Sequence, residues 1–432
     1  MEQLLHYVWR HKIFPLQELK TTDNLLIEVI DAGLYNHYSG PDFFNAKVKI
    51  GETLWIGNVE IHDKSSDWYA HGHDKDKAYD NVILHVAEII DADVLNTNGQ
   101  FIPQLKLVVP DGVRNHYQEL LSIDKYPPCY QIIPTLKPLM LHAWMATLQT
   151  ERLEKKTEAI LRRVERANGS WESAYFMTLA RNYGFGINGD AFEEWATHIP
   201  LSIVAHHRDN LMQIEAFFLG QAGLLNVDTI PERYQQQAVK EDYFIKLRKE
   251  YLFLAHKFSL QPMDYKLWKF LRLRPQNFPY IRLSQLANLY YDHKTGLSQL
   301  VESQNVLALQ DLMSTKVTPY WETHYTFGSI SNLNEKNLSP FSLNLLFINT
   351  CIPMLFAYGR HTADETLCDR AFDLLEQLKA ENNYIIRLWK ECGLEVRNAA
   401  DSQALIQLKK EYCDKKECLR CRIGYEYLKK NY

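Results

Sequence analysis

Four prolines, Pro127, Pro128, Pro134 and Pro138, punctuate the segment 122–138. Proline offers no backbone donor and pushes the preceding residue out of helical geometry, so no long helix or interior strand can cross this stretch. The hydrophobic pattern changes character on either side of it. Before it, apolar residues come in short runs at 25–35 (LLIEVIDAGLY), 42–50 (DFFNAKVKI), 53–62 (TLWIGNVEIH), 81–89 (NVILHVAEI) and 106–110 (KLVVP), which predicts strands. Residues 2–12 and 74–80 predict short helices among them. After residue 139 the apolar spacing becomes helical over 149–167, 208–225, 236–258, 283–292, 302–313, 341–357, 365–380 and 403–412. The chain therefore reads as an α/β domain over 1–125, followed by a mostly α-helical region over 139–432 that ends in a cysteine-rich tail.

Composition narrows the function classes. With 46% hydrophobic and 23% charged residues, the chain is neither disordered nor fibrous. A formal net charge of −5 excludes a generally basic nucleic-acid coat protein. The charge is unevenly spread: residues 1–110 hold 9 Lys+Arg against 16 Asp+Glu, and the remainder 39 against 37. No run approaches eighteen apolar residues, and the first residues, MEQLLHYVWRHKIF, lack the apolar stretch of a secretion signal. The expectation is a soluble cytoplasmic protein without membrane contact.

The stretch GPDFFNAKVKIGETLWIGNVEIHDK, residues 40–64, carries the most chemistry. With the turn centred on residue 51, positions whose numbers sum to 102 face each other across an antiparallel pair. Asp42 then opposes Glu60. The even-numbered face reads Phe44, Ala46, Val48 and Ile50 against Leu54, Ile56 and Asn58, an apolar surface ending in Asp42, Glu60 and His62. Two carboxylates side by side repel, and burying them costs free energy that a bound divalent cation removes. Asp42, Glu60 and the carbonyl of Ile61 offer the hard oxygen donors that Mg²⁺ or Mn²⁺ prefers.

The order helix, three strands, helix, strand, with Pro41-Asp42 opening one strand and Glu60-Ile61-His62 closing the next, resembles the PD-(D/E)XK nuclease core. That resemblance implies a restriction-endonuclease-like mixed sheet, one or two divalent cations on Asp42 and Glu60, and phosphodiester hydrolysis by an activated water. A first-helix glutamate often assists in that superfamily, a role Glu2 is placed to take. The superfamily carries lysine two residues after the glutamate; this chain has His62 there, with Lys64 two residues further along the same face. Over nearly its whole length the chain also resembles an uncharacterised bacterial family, common in Bacteroidetes, known as a domain of unknown function. GPDFFNA, GNVEIHDKSSDWYAHGHD, NVILHV, RPQNFPYIRLSQLA and YCDKKECLRCRIG carry that likeness.

Three further features bear on chemistry. His71 and His73 follow the hairpin with one residue between them, so with His62 and a carboxylate they are candidate ligands for Zn²⁺ or Mn²⁺, or contacts for a substrate phosphate. Cys413, Cys418 and Cys421 have the bunching of a Zn²⁺ or [4Fe–4S] site, with Cys392 the nearest fourth ligand in sequence and Cys368, Cys351 and Cys129 behind it. Residues 265–294 contain six Lys+Arg and one Asp interleaved with aromatic rings, which makes Arg272, Arg274 and Arg282 candidate phosphate contacts. The leading expectation is a metal-dependent nuclease, or a nucleic-acid-binding protein derived from one, with Asp42, Glu60, His62 and Lys64 as its catalytic set. A Zn²⁺- or Mn²⁺-dependent hydrolase of a small substrate is the alternative, and a non-enzymatic scaffold the third.

Overall fold

A computed structural model describes residues 2–14, 18–36, 38–123, 127–292 and 296–430. The backbone divides into two compact units. One comprises residues 1–141, 392–394 and 409–432; the other comprises 142–391 and 395–408. The cysteine-rich tail therefore belongs with the α/β part, where the sequence pattern had grouped it with the helices.

In the first unit, helix α1 (Glu2–Arg10) precedes a seven-stranded mixed sheet. The strands are β1 (Leu19–Lys20), β2 (Leu26–Asp31), β3 (Leu34–Tyr35), β4 (Phe43–Ile50), β5 (Thr53–Lys64), β6 (Val82–Ile89) and β7 (Gln104–Lys106). Their order is β1-β2-β4-β5-β6-β7, with β3 also pairing β4. The pairs up to β5 are antiparallel, whereas β5–β6 and β6–β7 are parallel. An antiparallel bridge from Thr21 to Leu105 brings the two edges of the sheet together. A parallel pair needs a crossover. Between β5 and β6 the chain supplies helix α2 (Asp67–Ala70) and two 3-10 turns, His73–Lys75 and Lys77–Tyr79, in place of the single helix expected at 74–80. The run 25–35 likewise forms two strands rather than one.

The β4–β5 register departs from the expected one in an instructive way. Ile50 pairs with Thr53 across the two-residue loop Gly51-Glu52, so pairs near the turn sum to 103, not 102. Gly51 has φ +58°, the conformation such short hairpin loops demand. Ala46, Val48 and Ile50 still face the core, but Leu54 and Ile56 are exposed, contrary to the expected apolar face. A bulge between Phe43 and Ala46, with Asn45 at φ 55°, then inserts one residue and restores the 102 sum at Phe43–Val59. Asp42 and Glu60 meet because of this bulge.

The second unit is helical and begins within the helix Pro138–Arg166. Its core is built from Trp171–Tyr183, Leu211–Gln221, Asp242–Phe258, Pro279–Tyr291 and the continuous stretch Pro340–Thr362. By length and composition that last stretch is apolar enough to cross a membrane, yet two-thirds of its apolar window (67%) is buried inside the protein.

Candidate metal centre

Helix α1 buries Leu4, Leu5, Tyr7, Val8 and Trp9 and packs against β5. Trp9 anchors it by donating Nε1–H to the carbonyl of Ala32 at 3.0 Å. This docking sets Glu2 and His6, one helical turn apart, over the end of the hairpin. His6 Nε2 lies 3.3 Å from Asp42 Oδ2 and 3.8 Å from Glu2 Oε1, while its Nδ1 reaches the Tyr35 hydroxyl at 3.4 Å. His6 Nε2 is buried without a well-formed hydrogen bond.

The two carboxylates clasp each other's backbone. The amide of Asp42 donates to Glu60 Oε2 at 3.0 Å, and the amide of Ile61 donates to Asp42 Oδ2 at 2.9 Å. These bonds fix one oxygen of each carboxylate, while Glu60 Oε1 turns toward His62 and His73. Burial raises the Glu60 pKa above the usual carboxylate range, with the negative charge of Asp42 adding to it against the pull of His73. Glu2 is raised in the same way, by burial and by Asp42 and Asp63 against the pull of His6. For His6, burial favours the neutral ring, but Asp42 and Glu2 outweigh it and the net shift is upward. Crowded carboxylates held above their ordinary pKa are groups that a cation would stabilise.

A second group of rings lies on the other side of Glu60. His73 Nε2 is 3.2 Å and His62 Nε2 3.6 Å from Glu60 Oε1. His62 Nε2 is 3.1 Å from His71 Nδ1, and His62 Nδ1 is 2.9 Å from His85 Nε2. Burial, with His85 and the other rings close by, depresses the His62 pKa to about 2; burial likewise lowers His85 to about 4. Both are neutral near pH 7. The hydrophobic cluster of Trp68, Tyr79, Val82, Val94 and Ile102 backs this corner.

The structure thus brings Asp42, Glu60, His62, His71 and His73 together and adds His6 and His85, which the sequence reading had not placed there. His6 was hidden because α1 looks like any amphipathic helix. His85 was hidden because it sits in an apolar strand, where a histidine reads as part of the core. Lys64 lies at the exposed end of β5, where its amide donates to Asp67, and no contact joins it to the cluster. Arg272 and Arg274 are exposed on the helical unit, but Arg282 is not a surface cation. It is 6% exposed, bonded to Gln285 at 2.9 Å and to Asn277 at 2.6 Å, and lies over the Phe185 ring. Burial lowers its pKa to about 10. His293 and Lys294, at the end of the basic segment, fall outside the described residues.

The basic surface near the cluster comes from elsewhere. A cavity of about 430 Å³ is lined by His6, Tyr7, Arg10, Tyr35 and Tyr117 on one side and by Lys415, Lys416 and Arg420 of the tail on the other. Glu417 is the acidic member of that lining. His6 and Tyr35 belong both to this cavity and to the carboxylate site.

The tail cysteines also find company. Cys413 closes one helical segment, Cys418 opens a 3-10 turn, and Cys421 caps the helix Arg422–Leu428, its amide donating to the Cys418 carbonyl at 3.3 Å. A Cβ on Gly424 would fall 2.1 Å from that carbonyl oxygen, so only glycine lets the helix close on this turn. Cys129 joins the tail cysteines electrostatically: burial pushes its pKa well up, and Cys413, Cys421 and Cys418 add to the shift. Cys351 lies in the core of the helical unit, with Cys368 packed against that core.

The family model described as "Protein of unknown function (DUF2851)" matches residues 2–384. No curated protein and no solved structure matches the chain.

Proposed function

The chain belongs to that family of unknown function, and from the geometry of its site we propose that it is a metal-dependent phosphodiesterase acting on nucleic acid. The observation that carries this reading is the clasped pair Asp42 and Glu60, faced from α1 by Glu2 and His6. Asp42, Glu60 and the Ile61 carbonyl are the groups that would hold Mg²⁺ or Mn²⁺, with His6 a further ligand open to Mn²⁺. Such an ion supplies charge for the phosphate and lowers the pKa of a bound water.

The remaining roles fall to side chains of this chain. Tyr35 orients His6 through Nδ1, so that Nε2 faces Asp42. His62 stands at the superfamily's lysine position, but a neutral buried ring supplies no positive charge. It sits between His85 and His71 in a chain of imidazole contacts instead. Cationic help for phosphates then comes from Arg10, Lys415, Lys416 and Arg420 in the adjoining cavity, with Tyr35 and Tyr117 offering faces for bases. This set replaces Arg272, Arg274 and Arg282 as the proposed substrate contacts.

The test is cleavage of labelled single-stranded and branched DNA in Mg²⁺ or Mn²⁺. Asp42→Ala and Glu60→Ala should each lower turnover at least 100-fold, while circular dichroism stays native. Combined replacement of Arg10, Lys416 and Arg420 by alanine should weaken binding of the same strands and flatten its salt dependence. Undiminished cleavage in both carboxylate variants would end the reading.

A further inference from the structure

The histidines beyond Glu60 exceed what the carboxylate site needs. One ligand nitrogen from each of His62, His71 and His73 lies within 4.8 Å of the other two. An ion bound at 2.0–2.1 Å to all three would draw them to roughly 3.4 Å apart, a small inward movement. The rings are already packed face and edge, with centroids 5.0 Å apart for His62–His71, 5.4 Å for His62–His73 and 5.5 Å for His71–His73. Filling this corner with polar rings rather than apolar side chains costs free energy unless the nitrogens are used.

The surrounding groups settle which nitrogen of His62 is used. His85 pairs with Gln104 across the β6–β7 strands. Gln104 donates Nε2–H to the Ala92 carbonyl at 3.1 Å, and its buried Oε1 and the buried His85 Nδ1 are each without a well-formed hydrogen bond. With His85 Nδ1 carrying the proton that faces the Gln104 side, His85 Nε2 is the acceptor and His62 Nδ1 the donor of their 2.9 Å contact. That order leaves the His62 Nε2 lone pair directed toward His71 and Glu60. A ring that donates its second nitrogen to a buried acceptor is the arrangement metal-binding imidazoles adopt. Tyr79 stacks on His73 at 3.8 Å between centroids and fixes its plane.

We infer that His62, His71 and His73 bind a Zn²⁺-class transition ion, with Glu60 bridging this second centre to the oxygen-rich one. Three imidazoles and one carboxylate oxygen suit Zn²⁺ and disfavour Mg²⁺, which prefers oxygen ligands. Glu60 divides its oxygens accordingly: Oε1 faces His62 and His73, and Oε2 faces the Asp42 side. The inference does not require phosphodiester hydrolysis.

The experiment strips the protein with chelator, reloads it with ZnCl₂ alone, desalts it, and measures metal content and the thermal midpoint. A Cys418→Ser/Cys421→Ser background removes zinc held by the tail, and the unmodified chain is measured alongside. The expected result is one zinc per chain in that background, with a raised midpoint. His71→Ala, at the exposed rim of the cluster, should lose one equivalent and the midpoint shift in either background, while Asp42→Ala keeps both. Zinc content unchanged in both His71→Ala and His73→Gln would overturn the inference, as would a zinc lost in Asp42→Ala. Failure of DNA cleavage with the zinc retained would sink the proposed activity and leave this centre standing.

Discussion

Asn45 sits in the left-handed region at φ 55°, and this single dihedral sets Asp42 against Glu60. Alternation of apolar residues shows that a strand exists, but a bulge is invisible to it, so the facing carboxylates were legible while the register near the turn and the exposure of Leu54 and Ile56 were not. Asparagine tolerates this conformation; a β-branched residue does not. Asn45→Val should cost about 1–3 kcal/mol and lower divalent-cation affinity, whereas Asn45→Gly should keep both near wild type. Denaturant melts and Mn²⁺ titration check the pair. His11 supports a second prediction at this scale. Burial and the positive charges of Arg10 and Arg422 depress its pKa to about 4. Its ordinary value is about 6.5, so the unfolded chain takes up the proton first as pH falls. The stability this ring contributes is complete above about pH 6.5 and is lost between there and about pH 4. His11→Phe should flatten the fall of the denaturation midpoint across that window.

The stretch Pro340–Thr362 shows how an element accommodates a residue that ought to break it. Pro353 cannot donate to the carbonyl of Asn349, and its ring would clash with it. The helix widens to π geometry over Phe347–Cys351, a change that relieves the clash and frees carbonyls. Asn182 Nδ2 takes the Asn349 carbonyl at 2.9 Å, and Lys156 Nζ takes that of Ile348 at 2.9 Å. Helical periodicity predicted a helix at 341–357 correctly; it carried no sign of the widened turn, because the groups that stabilise it lie more than 160 residues away in sequence. Asn182→Ala should leave buried acceptors unpaired and cost about 1–3 kcal/mol, measurable as a lowered melting temperature with helical content intact.

At the scale of the whole molecule, the proline-rich segment marks the change from sheet to helix, but the chain crosses the boundary again. Residues 409–432 rejoin the α/β unit, a return that local composition cannot reveal. The influence of Cys413, Cys418 and Cys421 on Cys129 was equally hidden, because nearly 300 residues separate Cys129 from the tail. We expect freshly purified protein to carry either one zinc or iron with acid-labile sulfide at these thiols. Cys418→Ser should lose that metal and expose the tail to limited proteolysis; a metal content unchanged by Cys418→Ser would exclude the site.

The return of the tail also imposes a schedule on synthesis. Helix α1 and the strands bearing Asp42 and Glu60 leave the ribosome early, and at 5–20 residues per second the segment with Lys415, Lys416 and Arg420 follows roughly 20–80 s later. Until then the basic wall beside His6 is missing. A chain released before residue 415 would hold the carboxylates and histidines with Arg10 but without Lys415, Lys416 and Arg420, so the cavity's cationic lining is completed only after the groups it adjoins have been made.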